Sequence, residues 1–164
     1  MKEEYKKQEE AFKKRKRFAE KERLRKMTVR TEEELLSFGT AEGSEALLSY
    51  FYEKTVSFLE YLPENTLFFI DEPHRVLEKG KTYEEEFFLC MQSRLEGGYV
   101  LPGQADLLFG YEEILSKVMV GPLILLSSVI QDYAFYKPKT TCDIEAKSIF
   151  SYNNSFDQLI KDLE

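Results

Sequence analysis

Thr66-Leu67-Phe68-Phe69-Ile70-Asp71-Glu72-Pro73-His74 is an apolar run that ends in two adjacent carboxylates and a proline. Residues 67–70 show no polar alternation, the pattern of a strand covered on both faces within a parallel sheet. Open α/β sheets bind ligands beyond the carboxyl ends of their strands. Asp71 is therefore placed to hold a hydrated magnesium ion, and Glu72 to polarise an attacking water. The same residues also suit a plain acidic turn closed by Pro73.

A working nucleotide site needs a second part, a glycine-rich loop whose backbone N–H groups and lysine cradle the phosphates. Only its tail is present, as Gly80-Lys81-Thr82, with Arg75 where the first glycine of G-x-x-x-x-G-K-[ST] belongs. No apolar strand leads directly into it, and it follows the carboxylate strand instead of preceding it. Gly80-Lys81-Thr82 thus reads as a turn before the next helix. Gly97-Gly98 lacks a following lysine and reads as a helix stop.

Outward from this segment, 164 residues with 43% apolar and 14% aromatic content suffice for a domain with a real core. Thirteen Phe and ten Tyr supply it in the absence of Trp. Two lone cysteines, Cys90 and Cys142, form neither a disulfide framework nor a metal-ligand set, and read as structural thiols of a reducing cytoplasm. The single His74 excludes a multi-histidine zinc site; it reads as a polar contact at the strand-to-helix junction or as a nucleotide-state sensor. No stretch approaches a membrane span, and the charged start is unlike a signal peptide, so a cytoplasmic protein without a membrane is expected.

The net charge of -7 hides an asymmetry. Residues 1–30 hold thirteen Lys/Arg against six Asp/Glu, whereas the rest holds ten against twenty-four. Lys13-Lys14-Arg15-Lys16-Arg17 is the densest positive run, suited either to a solvated helix face or to nucleic-acid phosphates. From Glu3 to Lys26 neither Gly nor Pro interrupts strong helix formers, which predicts one long, mostly exposed helix. Thr31 and Glu34 form a capping box that would open a second helix ending at Gly39.

A third helical stretch is expected from Ser44 to Phe51, with a turn over Phe58 to Leu62 and a break at Pro63-Glu64-Asn65. Beyond the strand, Tyr83 to Leu95 reads as an amphipathic helix with Phe87, Cys90, Met91 and Leu95 on one side. Tyr111 to Lys117 reads as another. Pro122 to Ile130 reads as a second strong strand and Ile144 to Phe150 as a weaker one. Ser155 and Gln158 cap a last helix through Ile160 that looks cut short at Glu164.

With these elements in place, several short motifs recur in a telling order. They are Phe51-Tyr52-Glu53-Lys54, Tyr61-Leu62-Pro63 and Phe69-Ile70-Asp71-Glu72-Pro73, then Arg94-Leu95-Glu96-Gly97-Gly98-Tyr99 and Leu101-Pro102-Gly103-Gln104-Ala105-Asp106-Leu107-Leu108. Lys147-Ser148 and Ser151-Tyr152-Asn153 close the series. Their order and spacing resemble the bacterial transcription-repair coupling factor (Mfd) family. The likeness is to the N-terminal module related to UvrB, the damage-recognition subunit of nucleotide excision repair. Two departures separate the chain from UvrB itself. UvrB-type strands end in D-E-S-H, where this chain has Pro73, and in S-A-T-P, where it has Leu126-Ser127-Ser128-Val129.

The resemblance implies an α/β fold, a partial P-loop-helicase-like (UvrB domain 1b-like) parallel sheet with flanking helices, preceded by a long charged helix. It divides the chain into a charged helical region (1–54) packing on the module, a degenerate UvrB-like domain (55–150) and the start of a further, truncated domain (151–164). Asp71 and Glu72 would be a vestigial Walker B-like pair, with no cofactor or metal in this segment; ATP and magnesium would belong to the parent translocase. The segment would be a non-catalytic scaffold for recruitment and autoinhibition, joined to the rest of the same polypeptide. Through the full protein it would work with UvrA, RNA polymerase and double-stranded DNA. Two alternatives stand beside it, a fragment of the active helicase UvrB and a basic-helix nucleic-acid-binding module contacting phosphates through Lys13, Lys14, Arg15, Lys16 and Arg17.

Overall fold

The computed structural model describes residues 1–129, 133, 136–145 and 156–163. Contacts divide the chain into two units, Met1–Gln131 and Asp132–Glu164. In the second, the described features are an antiparallel bridge between Tyr133 and Tyr136 and a helix over Phe156–Leu163 with Phe156 and Ile160 exposed. The weak strand expected over Ile144 to Phe150, the Lys147-Ser148 and Ser151-Tyr152-Asn153 motifs and the Ser155 cap lie wholly or largely outside the described residues.

The first unit opens with a correction. Instead of one long helix, the charged segment forms a hairpin of α1 (Lys2–Lys14) and α2 (Phe18–Phe38). Lys16 adopts the left-handed conformation (φ 58°). The Arg17 N–H donates to Phe12 O (2.9 Å) and the Lys16 N–H to Lys13 O (3.2 Å), the paired bonds of a Schellman stop. The Arg17 guanidinium lies 5.8 Å from the Phe12 ring centroid, adding the side-chain contact that accompanies such a stop. A lysine stands where a glycine would advertise the break, at a cost of about 1–2 kcal/mol, so composition gave no warning. α2 then runs through Thr31 and Glu34 without interruption, because Glu34 is drawn to Arg30 and to the Glu42 N–H instead of capping a new helix. It stops at Gly39, as expected.

Phe12, on α1, and Leu24, on α2, are buried against Leu101, with Met1, Tyr5, Met27 and Tyr50 packed around them. Each fully buried large side chain of this kind contributes about 1.5–3 kcal/mol. The hairpin is thus seated on the segment that contains Leu101, not left in solvent. Its polar moorings are as specific: Gln8 Nε2 donates to Leu95 O (3.0 Å), Arg23 Nη1 to Gly97 O, and the Arg23 guanidinium sits 4.3 Å from the Tyr99 ring centroid.

A 3-10 turn (Ser44–Leu47) and α3 (Leu48–Phe51) follow, then a 3-10 turn over Phe58–Tyr61. β1 (Phe68–Asp71) pairs in parallel with β2 (Leu123–Leu126), Phe68 opposite Leu123 and Asp71 opposite Leu126. Parallel pairing is as read from the sequence; coverage of both faces is not. Phe68, Ile70, Leu123 and Leu125 are half-buried, while Phe69, Ile124 and Leu126 on the other face are exposed. An unbroken apolar run marks both faces as apolar without showing what covers them.

Between the strands lie α4 (Pro73–Glu96), a 3-10 turn over Pro102–Leu107, and α5 (Tyr111–Val120). α4 starts ten residues before the predicted Tyr83, because Pro73 fits the first helical turn, where no backbone N–H is needed. Gly80-Lys81-Thr82 is therefore helix interior and not a turn. A Cβ on Gly80 would stand 3.1 Å from Tyr111 Cβ, so the glycine permits the close approach of α4 and α5. Cys90, placed on one side of the helix with Phe87, Met91 and Leu95 and read as a structural thiol, is exposed, as is Cys142. The second strand is also shorter than the predicted Pro122 to Ile130.

Candidate functional site

The site worth testing is the carboxyl end of the β1–β2 pair. The Glu72 N–H continues the ladder to Leu126 O (2.8 Å), and the residue then turns left-handed (φ 48°) as the chain enters α4. That turn carries its side chain to the end of β2. Oε1 of Glu72 accepts from the Ser128 N–H (2.9 Å) and from the Ser128 hydroxyl. The Ser128 hydroxyl first and its amide second hold the Glu72 carboxyl below its ordinary range against the opposing effect of desolvation, with a weaker contribution from Arg75. Asp71 is exposed at the same edge.

Sequence reading named Asp71, Glu72 and the Leu126-to-Val129 stretch as separate features; the fold joins Glu72 to Ser128. A residue meant to orient a reacting water needs a free carboxylate oxygen aimed at substrate. Here one oxygen is held by two donors from the neighbouring strand end. Ser127 adds to the local order through its hydroxyl, which donates to Val129 O (2.7 Å).

The remaining nucleotide-site candidates do not converge on this edge. In the interior of α4, helical pairing engages the N–H groups of Gly80, Lys81 and Thr82, and Lys81 Nζ lies 4.0 Å from Glu85 Oε1 on the helix surface. These residues do not fit a phosphate cradle. His74 is exposed, 3.9 Å from Glu78. Gly98 (φ 70°) ends α4: its N–H donates to Leu95 O (3.2 Å) and the Tyr99 N–H to Arg94 O (2.9 Å). Among the described residues no group of three or more His, Cys, Asp or Glu is arranged to hold a metal ion, and no helix is long and apolar enough to cross a membrane.

The basic run occupies the hairpin turn. Lys13 and Lys14 close α1, Arg15 and Lys16 form the turn, and Arg17 opens α2 with its guanidinium hydrogen-bonded to Glu20 Oε1 (3.0 and 3.2 Å). Lys13, Lys14, Arg15 and Lys16 are exposed.

A third cluster escaped the sequence reading. The Tyr50 hydroxyl donates to Glu4 Oε2, and the Gly103 N–H (3.0 Å to each) reaches both the carboxylate and the phenol oxygen. Burial raises Glu4, but the bonds from Tyr50 and Gly103 outweigh it and hold the carboxyl below its ordinary range. Tyr50 is driven far above its ordinary value, by burial first and by Glu4 second. The Ser49 hydroxyl donates to Gly103 O (2.6 Å), and a Cβ on Gly103 would stand 2.9 Å from the Tyr50 ring. The Leu101-Pro102-Gly103-Gln104 motif was the available signal: a glycine inside a 3-10 turn often marks such an approach.

Fold and site together define a small mixed α/β protein with a two-stranded parallel sheet, a docked helical hairpin and an occupied carboxylate at the strand edge. No family model matches the chain. It is 28% identical over 117 residues, 71% of its own length, to the transcription-repair-coupling factor of Bacillus subtilis (strain 168), a distant relation. The match spans about a tenth (10%) of that relative's length.

Proposed function

We propose that the chain serves in transcription-repair coupling as a non-catalytic segment. Within a larger polypeptide it is a scaffold that helps recruit the excision machinery and hold the parent in an autoinhibited state. In this reading the β1–β2 pair and its helical crossover are the remnant of a P-loop-helicase-like, UvrB-like domain. ATP, magnesium and the DNA translocase belong to the parent, which works with UvrA, RNA polymerase and double-stranded DNA in the cytoplasm. The observation that supports catalytic silence is the capture of Glu72 by Ser128. Helical placement of Gly80-Lys81-Thr82 supports it too, since a backbone paired along a helix cannot wrap a phosphate. The distant relation to a transcription-repair-coupling factor supports the process.

ATP hydrolysis by the purified chain, with and without double-stranded DNA, tests the reading. No release of phosphate above the protein-free rate is expected. DNA-stimulated hydrolysis that Glu72→Gln removes would overturn it and favour an active helicase fragment. Binding of purified UvrA tests the recruitment role separately.

A further inference from the structure

The hairpin turn carries an unmatched charge. Elsewhere on the hairpin several cations meet carboxylates, Lys2 with Glu32 (2.9 Å), Lys21 with Glu9 (3.1 Å), Arg25 with Glu22 (3.7 Å) and Arg30 with Glu34 (2.7 Å). Lys6, Lys7 and Lys26 form no ion pair among the described residues but have glutamates close by in the chain. Among the described residues, Lys13, Lys14, Arg15 and Lys16 form no ion pair, and no acidic residue lies in the chain between Glu10 and Glu20. Lys13 and Lys14 complement the negative end of the α1 dipole, but Arg15 and Lys16 lie past that end. The left-handed turn at Lys16 brings four consecutive cations to one end of the hairpin.

We propose that this turn is a docking point for the phosphate backbone of double-stranded DNA, engaged through Lys13, Lys14, Arg15 and Lys16. Arg17 is left out, being committed to Glu20 and Phe12. Duplex DNA presents about one charge per 1.7 Å of axis, a density suited to four successive cations. An acidic protein surface fits less well: a protein interface needs a desolvated apolar centre, and the turn offers only exposed Phe18. With one aromatic and no side chain held for base edges, contact is to the backbone and independent of sequence. This inference does not rest on the catalytic silence proposed above.

Fluorescence anisotropy of a short random-sequence duplex with the full chain, without nucleotide, tests it. Four phosphate contacts predict an affinity loss of about 100-fold between 50 and 200 mM salt. The triple variant Lys13→Glu, Lys14→Glu, Arg15→Glu keeps the Lys16 backbone and is expected to abolish binding while circular dichroism stays unchanged. If that variant does not fold, replacing the same three residues by Gln is expected to lower the salt slope by about three. Reversal at Lys6 and Lys7, on α1 outside the turn, is expected to leave both readings nearly unchanged. Binding that survives the triple change, or equal affinity for polyglutamate, overturns the proposal; the second result assigns the turn to an acidic protein partner.

Discussion

Glu72 and Ser128, 56 residues apart, share one carboxylate oxygen, which accepts both the amide and the hydroxyl of the serine. Ser128→Ala removes the largest of the three influences that lower the Glu72 carboxyl. The Glu72 titration, followed by carboxyl NMR, should then move to higher pH, with the remaining amide bond keeping it below the ordinary value. An unchanged titration would mean that this bond does not form in solution. A depressed carboxyl stabilises the fold above its unfolded value and loses that contribution as pH falls through the folded value. Ser128→Ala should therefore weaken the acid limb of the stability profile and leave the alkaline limb alone.

Tyr50→Phe keeps the ring but removes the donor to Glu4, leaving the Gly103 N–H as its remaining partner. A loss of about 1–2 kcal/mol is expected by urea denaturation. The wild-type profile should show two limbs from the same junction. Glu4 is lowered from 4.5, so its contribution is present above that pH and lost as pH falls through the folded value. Tyr50 is raised from 10.0, so its contribution is complete below pH 10.0 and lost as pH rises towards its folded value. In Tyr50→Phe the alkaline limb should shrink by the share of Tyr50, leaving that of the other raised groups such as Tyr5 and Tyr111.

Gly98→Ala meets two obstacles. The backbone is left-handed, and the new Cβ would stand 2.4 Å from Glu20 O on α2. A loss of about 2 kcal/mol or more is expected from strain and overpacking combined. Because the clash is with the hairpin, amide exchange should accelerate in α2 before it does in α4. Uniform acceleration would contradict this seating.

Lys81→Ala should behave as a surface helix substitution. Its partner Glu85 is 4.0 Å away and both side chains are mostly exposed, so the melting free energy should change by no more than about 0.5 kcal/mol. Any affinity for ATP should likewise be unaffected. A marked loss would show that Gly80-Lys81-Thr82 leaves the helix to meet phosphate.

The sequence made β1, its parallel partner and the stops at Gly39 and Gly97-Gly98 legible, because an apolar run and a glycine after a helix have direct physical meanings. The break at Lys16 was illegible because a lysine fills a glycine's position. Gly80-Lys81-Thr82 misled because a glycine at a helix–helix contact looks like a turn until Tyr111 is placed beside it. At the candidate site, Asp71 and Glu72 were legible as a pair. The Glu72–Ser128 and Glu4–Tyr50–Gly103 contacts join segments that only the completed fold brings together.

The moorings of the hairpin span 74, 87 and 99 residues of chain. On a ribosome the hairpin therefore emerges well before Leu95, Gly97 and Gly103 have been made. At about 5–20 residues per second it waits several seconds with Phe12 and Leu24 shielded by little more than each other's helix. Translation speed between Gly39 and Gln104 thus sets how long that apolar pair is open to a chaperone before its partners exist.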